Sequence, residues 1–491
     1  MNVNPITRLD YPDPDVIRVE DTYYMVSTTM HFMPGCEILQ SFDLVHWEHV
    51  TYVYETLDHT DAQQLKSGQN IYGQGMWAAS LRYHEGRFCI CFVANDTRKT
   101  YLYTSEKIDG PWKKQLIEGF YHDGSLLFDE DGRNYIVYGN DEIWITELNE
   151  DLTAPKKDGL HRLLVSDHKN PELGYEGSHI QKINGYYYIF LVHSLRDRWM
   201  RTEACFYSDS LEGEFTGGDV LCDDRGYCGQ GVAQGGIVDT PDGKWYAMLF
   251  QDSGAVGRIP ILLPVTWKDH FPFFGQNGHV PEEIEVHSTR PGYIYQPLVG
   301  SDDFCNGLLP RWQFNHDPDP RYYHLDALQG TYTITTREVC TELTQAVNTL
   351  TQRMSYPSCA AEVTVDASAL KEGDVAGLCA LQSCYAAVGI TKHHGKYEVL
   401  MLDKKEDGIL DMTEGTVVES HQMDFRLEAD FCNMKDEARC YYRVNKGDWL
   451  PIGTVHKLYF KLDHFTGCRF GLFCYAAEET GGSACFRDFK Y

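Results

Sequence analysis

One phrase recurs five times in the first half of this chain and restricts its architecture more than any other feature: a short strand, a tight polar turn, then an aromatic-rich strand. The copies include Val16-Ile17-Arg18-Val19 before Tyr23-Tyr24-Met25-Val26, and Leu81-Arg82-Tyr83 before Arg87-Phe88-Cys89-Ile90. Leu126-Leu127-Phe128, Ile180-Gln181-Lys182 and Ile237-Val238 open the other three. Four of the five turns carry Gly, which supplies the positive φ that hairpins need. A second phrase, such as Ser41-Phe42-Asp43-Leu44 ending at Trp47, follows several copies and reads as a second hairpin of the same unit. Two hairpins make a four-stranded blade, and five blades make a β-propeller.

Counting nine residues back from turn positions 22, 86, 132, 185 and 243 reaches Asp13, Trp77, Asp123, Glu176 and Gln234. Equal offsets predict equivalent places near the start of each inner strand, around the central channel. Three of the five are acids in a chain where Asp and Glu together number 72 of 491. Taken singly, each has an ordinary explanation: Asp13 between prolines suits a turn, Asp123 and Glu176 precede glycines at strand starts, and Trp77 suits a core. The shared register sets them apart. Glycosidic cleavage uses two carboxyl groups, one to protonate the leaving oxygen and one to activate water or attack the sugar. A third carboxylate nearby raises its neighbour's pKa by like-charge repulsion, and an indole at a channel mouth can stack on a sugar ring.

The rest of the composition agrees. A 43% hydrophobic, 13% aromatic chain with 32 Tyr and 23 Phe has ample material for several β cores. A net charge of −29 disfavours nucleic acid and anionic membranes as partners and suits a neutral substrate. Sixteen cysteines with no C-x-x-C spacing read as free thiols in a reducing compartment. The segment Met1-Asn2-Val3-Asn4-Pro5 has no basic region leading into an apolar run, so a cytoplasmic protein is expected.

At these residues the sequence resembles glycoside hydrolase family 43. Asn4-Pro5-Ile6 with Tyr11-Pro12-Asp13-Pro14-Asp15 is similar to the family's opening motif, and the resemblance implies that Asp13 is the general base. Gly75-Met76-Trp77-Ala78 resembles its G-x-W-A-P segment, with Ala79 in place of Pro. His122-Asp123-Gly124-Ser125 resembles the segment bearing the pKa-tuning Asp, and Glu176-Gly177-Ser178-His179 the E-G-P-H motif of the general acid. Gln234-Gly235-Gly236 and Gly257-Arg258-Ile259-Pro260 resemble fifth-blade signatures. Trp77, Phe32, Gln234 and Arg258 are accordingly expected to bind substrate. Some relatives carry a His at the Gln234 position that helps hold an axial calcium; here no cofactor is expected to be required, and a structural calcium at the axis stays an open alternative.

From Ser301 the propeller phrase stops, and alternating runs such as Ala361-Glu362-Val363-Thr364-Val365 predict antiparallel strands with one buried face. The expected fold is all-β: a five-bladed propeller over 1–295, then over 301–491 a β-sandwich that resembles the concanavalin-like jelly-roll module of xylosidase and arabinofuranosidase members of the family. The expected reaction is exo-acting and inverting, and it releases pentose from small xylo-oligosaccharides as a β-1,4-xylosidase. The alternatives are an α-L-arabinofuranosidase, a bifunctional enzyme, or a propeller that only binds sugar. Self-association into a homo-oligomer is left open.

Overall fold

The computed structural model describes residues 3–413 and 415–491; Met1 and Asn2 of the N-terminal segment, and Glu414, lie outside the described residues. The five repeats form five four-stranded antiparallel sheets. Blade 1 runs from Asp15–Val19 to Glu48–Tyr54, blade 2 from Ser80–His84 to Lys113–Ile117, and blade 3 from Ser125–Phe128 to His161–Ser166. Blade 4 runs from Glu176–Ile183 to Thr216–Leu221 and blade 5 from Val232–Asp239 to Phe271–Phe274. In blade 4 Asn184 and Gly185 form a two-residue turn with φ of 51° and 85°, the left-handed pair whose twist matches a hairpin.

A separate apolar cluster fills each of the five junctions between neighbouring blades. The junction that closes the ring packs Val16, Tyr23 and Met25 of blade 1 against Val238, Tyr246 and Met248 of blade 5. No strand is exchanged between these blades. The N-terminal segment seals the seam instead: the Asn4 side chain donates to the Leu262 carbonyl at 2.7 Å and accepts from its N–H at 2.8 Å.

One layer of polar side chains blocks the channel. Arg82 donates to Asp15 at 2.8 Å and to Ser125 at 2.8 Å, and His179 lies 3.1 Å from the other Asp15 oxygen. Four inner strands are tied together at this level, so the pit above it is blind.

The C-terminal residues form two facing sheets, of nine and seven strands. The smaller holds Ser358–Asp366, Gln422–Asp430 and Ser483–Lys490. The larger is completed by the propeller: Phe32–Met33, in a blade 1 loop, pairs with Gln313–Asn315. Ala255, Val256 and Ile259 of blade 5 join the sandwich core. This placement corrects one expectation. Phe32 is 0% exposed, packs with Leu343, Cys379 and Tyr385, and carries the Arg469 guanidinium 3.5 Å above its ring. It pins the two domains together and cannot touch a substrate.

Two buried polar clusters complete the interdomain contact. Arg353 of the sandwich donates to Glu37 at 2.8 Å and to the Asp10 carbonyl at 2.9 Å. Burial alone would push Glu37 up, but Arg353 and His49 outweigh it and hold the carboxyl at about 2. Beside this pair His31, His316 and His464 cluster with ring centres 4.8 Å and 5.0 Å from His31. His316 Nε2 accepts the Ile71 N–H at 2.9 Å, while both nitrogens of His31 and of His464 have no hydrogen-bond partner among the described residues. Burial lowers all three imidazoles, His464 to about 3.

Candidate active site

The inner strands share an irregularity that builds the site. Pro12 bonds to Thr28, Trp77 to Val93 and His122 to Gly139, while Asp15 pairs Val26, Ser80 pairs Cys91 and Ser125 pairs Val137. Glu176 pairs Val192 and Ala233 pairs Phe250, before His179 meets Phe190 and Gly236 meets Met248. In every blade three steps along the inner strand face two on its partner, a β-bulge. Asp13, Asp123, Gly177 and Gln234, each just inside its bulge, take φ of 52°, 47°, 66° and 65°. A left-handed step interrupts the strand's alternation, so two consecutive residues can reach the axis.

This geometry corrects the counted register. Trp77, His122 and Glu176 occupy one bulge position; Asp13, Asp123 and Gln234 occupy the next. The count of nine merged the two positions because its starting points were not equivalent: positions 86 and 185 end two-residue turns, Thr22 lies one residue past such a turn, and positions 132 and 243 lie within five-residue turns. The acids still converge, since both positions face the channel.

Asp13 is 5% exposed; it accepts from Thr28 Oγ1 at 2.5 Å and from Arg258 Nη1 at 3.0 Å. Glu176, half-buried, accepts from Asn140 Nδ2 at 2.7 Å. Asp123, 6% exposed, accepts the Gly177 N–H at 3.0 Å. His122 Nε2 sits between the last two, 3.6 Å from each carboxylate. Burial pushes Asp123 up, His122 opposes, and the charges of Glu176 and Asp13 push further, to a value of about 6. The same neighbours raise His122 to about 9: the Asp123 charge outweighs burial, and Glu176 adds to it. Protons in so close a set belong to the group as a whole.

Ligand-type atoms of His122, Asp123 and Glu176 lie within 4.8 Å of one another, a spacing that could hold a cation. The donors argue otherwise. Asn140 and Gly177 already aim N–H groups at these carboxylates. The set fits proton transfer.

Above the acids opens a cavity of about 630 Å³ lined by Trp77, Glu176, Trp199 and Arg201, and by Phe460, Leu462 and Phe465 of the sandwich. Trp77 lies 5.6 Å from the Phe465 ring and 6.0 Å from His122. Arg258 is buried under Phe465 at 4.4 Å, with Nε and Nη2 unpartnered among the described residues. Gln234 lies deeper: its main-chain N–H donates to Glu203 at 2.7 Å and its side chain packs on Gly177. Sequence reasoning gave no role to His122, although it stands within a quoted motif, nor to Arg201, Asn140 or the sandwich residues, which no local pattern marks. Arg201, buried and held by Asp252 at 2.9 Å, reaches the pit from the third strand of blade 4.

A blind pit at a propeller axis, with carboxyl groups gathered about an imidazole, is the constitution of a glycoside hydrolase. The chain belongs to the glycosyl hydrolases family 43, whose model matches residues 3–272, and residues 301–491 match the β-xylosidase C-terminal concanavalin A-like domain. A β-xylosidase of Formosa agariphila is 26% identical over 98% of this chain and 88% of its own length. A xylosidase/arabinosidase of Humicola insolens is 27% identical over 99% of this chain and 96% of its own. Among solved structures, a Bacteroides eggerthii protein described as bifunctional GH43-CE superposes with a TM-score of 0.92 at 42% identity over 99% of this chain, which spans 63% of that protein's length.

Proposed function

We propose that this chain is an exo-acting, inverting β-1,4-xylosidase that removes pentose from the ends of short xylo-oligosaccharides. The observation that carries the reading is the convergence of Asp13, Asp123 and Glu176 around His122 at the floor of a pit closed by Arg82, Asp15 and His179. A blind pit admits a chain end and excludes a chain interior.

Asp13, oriented by Thr28 and Arg258, takes a proton from the attacking water. Glu176, positioned by Asn140, gives its proton to the departing oxygen. Asp123 holds the Gly177 N–H beside Glu176 and tunes the proton inventory of the set with His122. The unpartnered arms of Arg258 hold hydroxyls of the terminal sugar, and Trp77 stacks on its ring. Water attacks from the face opposite the leaving group, so the configuration inverts. No step needs a cofactor, and dialysis against EDTA is expected to leave kcat unchanged. The occupant is a small neutral oligosaccharide rather than nucleic acid or membrane. No helix among the described residues is long and apolar enough to cross a membrane, and sixteen free thiols suit the cytoplasm.

The test is hydrolysis of xylobiose followed by NMR of the first-formed anomer: α-xylose is expected, and a β product overturns inversion. The Humicola relative's paired name favours a second reading, α-L-arabinofuranosidase activity in the same pit. Comparing kcat/KM on 4-nitrophenyl β-xyloside and α-arabinofuranoside separates the two.

A further inference from the structure

The bulge of blade 5 carries no acid; it contributes Gln234-Gly235-Gly236, a segment packed against the working parts of other blades. The Gln234 side chain fills the space beside Gly177, where a Cβ would lie 2.7 Å from Gln234 Cγ, and the Gly177 N–H is the one that Asp123 accepts. A Cβ on Gly236 would stand 3.3 Å from His179 Nδ1 and 3.6 Å from Asp15 Oδ1, so the same segment also meets the floor of the pit. Ala233 pairs Phe250 and the next pair is Gly236 with Met248, so the residues between them stand outside the regular ladder. A main-chain N–H buried there needs an acceptor from elsewhere.

One side chain meets that need. Glu203, on the third strand of blade 4, is 0% exposed; its Oε2 accepts the Gln234 N–H at 2.7 Å, and Oε1 has no partner among the described residues. Arg201, two residues earlier, is committed to Asp252 at 2.9 Å, and Cys205, two residues later, is itself kept neutral by burial. Burial pushes the Glu203 carboxyl well above the usual carboxylate range, and only the Gln234 N–H opposes it. A carboxyl buried with no cation to offset the burial keeps its proton. We infer that Glu203 is a positioning residue of this site: it pins the blade 5 bulge through the Gln234 N–H, and so holds Gln234 against Gly177 and the acids on either side of it. The inference rests on the glycosidase reading above. Glu203 does not line the cavity, and its work requires an acceptor and no charge.

The test compares substitutions in the full chain, with xylobiose as substrate. Glu203→Gln keeps an oxygen that can accept the N–H, so kcat and both limbs of its pH profile should stay close to wild type. Glu203→Leu fills the volume but strands the N–H; kcat is expected to fall about 10- to 100-fold with KM little changed, the scale of a small misplacement at the reacting centre. Glu203→Asp draws the carboxyl back by one methylene and should show the same loss in smaller measure, which serves if the Leu variant melts too low to assay. Added to Gln234→Ala, Glu203→Leu should cost far less than it does alone, because the two act along one path. A loss in Glu203→Gln as large as in Glu203→Leu, or a displaced limb, would show that the charge matters and overturn the assignment. Full turnover in both the Leu and Asp variants, or losses that simply add to Gln234→Ala, would overturn it as well. A wild-type enzyme that hydrolyses neither xylobiose nor the two nitrophenyl glycosides would sink the glycosidase reading itself, and this role with it.

Discussion

A half-buried histidine in the pit and a buried trio of histidines at the domain interface carry opposite charge states. In the pit, His122 is flanked by Asp123 and Glu176 and is raised to about 9, so it is a cation at neutral pH. At the domain interface, His31, His316 and His464 have each other, Tyr72 and Arg469 as neighbours and are lowered, His464 to about 3. Burial opposes the charged form in both places. What differs is the company: carboxylates within 4 Å outweigh desolvation, whereas imidazoles and a guanidinium add to it. The pit is therefore a store of protons that chemistry can draw on, and the interface is a neutral joint that holds the pit's upper wall in place.

The largest effect expected on the catalytic side comes from Asp13→Ala or Glu176→Ala, each lowering kcat by about 10²–10⁴-fold, the usual range for a general acid or base. Thermal melting of Glu176→Ala should stay close to wild type, because that side chain lines the pit, whereas Asp13→Ala leaves the buried Arg258 guanidinium without its carboxylate and should also lower the melting temperature. A variant that keeps normal turnover would remove its residue from the role assigned.

The joint breaks most severely at Arg353. Arg353→Met strands Glu37 as a buried, half-paired carboxylate, a change that costs about 3–5 kcal/mol. Calorimetry should show a lower melting temperature, and turnover should fall as Phe465 and Leu462 lose their position. An unchanged melt would mean that the domains do not depend on this pair.

Acid should loosen the joint as well as change the proton inventory of the pit. The interface histidines have folded pKa values below the unfolded value of about 6.5. The unfolded chain therefore takes up protons first, and stability is full above that pH and declines as pH falls toward about 3. Each such histidine contributes a slope of up to about 1.4 kcal/mol per pH unit in that window. His464→Phe should flatten the dependence measured by denaturant unfolding between pH 6.5 and 4. An equal slope in the variant would place the sensitivity elsewhere.

The smallest effect sharpens the comparison from the other side. His122→Asn removes the cation that opposes the rise of Asp123, so that carboxyl should move above about 6 and carry the acid limb of kcat to higher pH. At the other extreme the wild type should lose activity as pH rises through about 9, where His122 gives up its proton. A limb that moves to lower pH would reverse the sign assigned to this charge.

Much of this was legible along the chain. The hairpin phrase is local chemistry, alternating apolar residues around turn formers, so the number of blades could be counted without coordinates. Asp13, Asp123 and Glu176 could be found because each blade repeats the same path to the axis. Phe32 misled because an aromatic residue in a loop carries no local sign of whether it faces a ligand or a neighbouring domain. The nine-residue register misled because the bulge is a property of two paired strands, and turn lengths along one strand do not reveal it.

Repetition, strand periodicity and the types of acid residue were thus determined by the sequence itself, since each depends on neighbours a few positions away. Only the tertiary structure decided which of two adjacent residues reaches the axis, that His122 is charged while His464 is neutral, and that residues 460–465 complete a site begun at residue 77. Those outcomes depend on desolvation and on charges brought close from distant segments, and such energies exist only once the chain has closed upon itself.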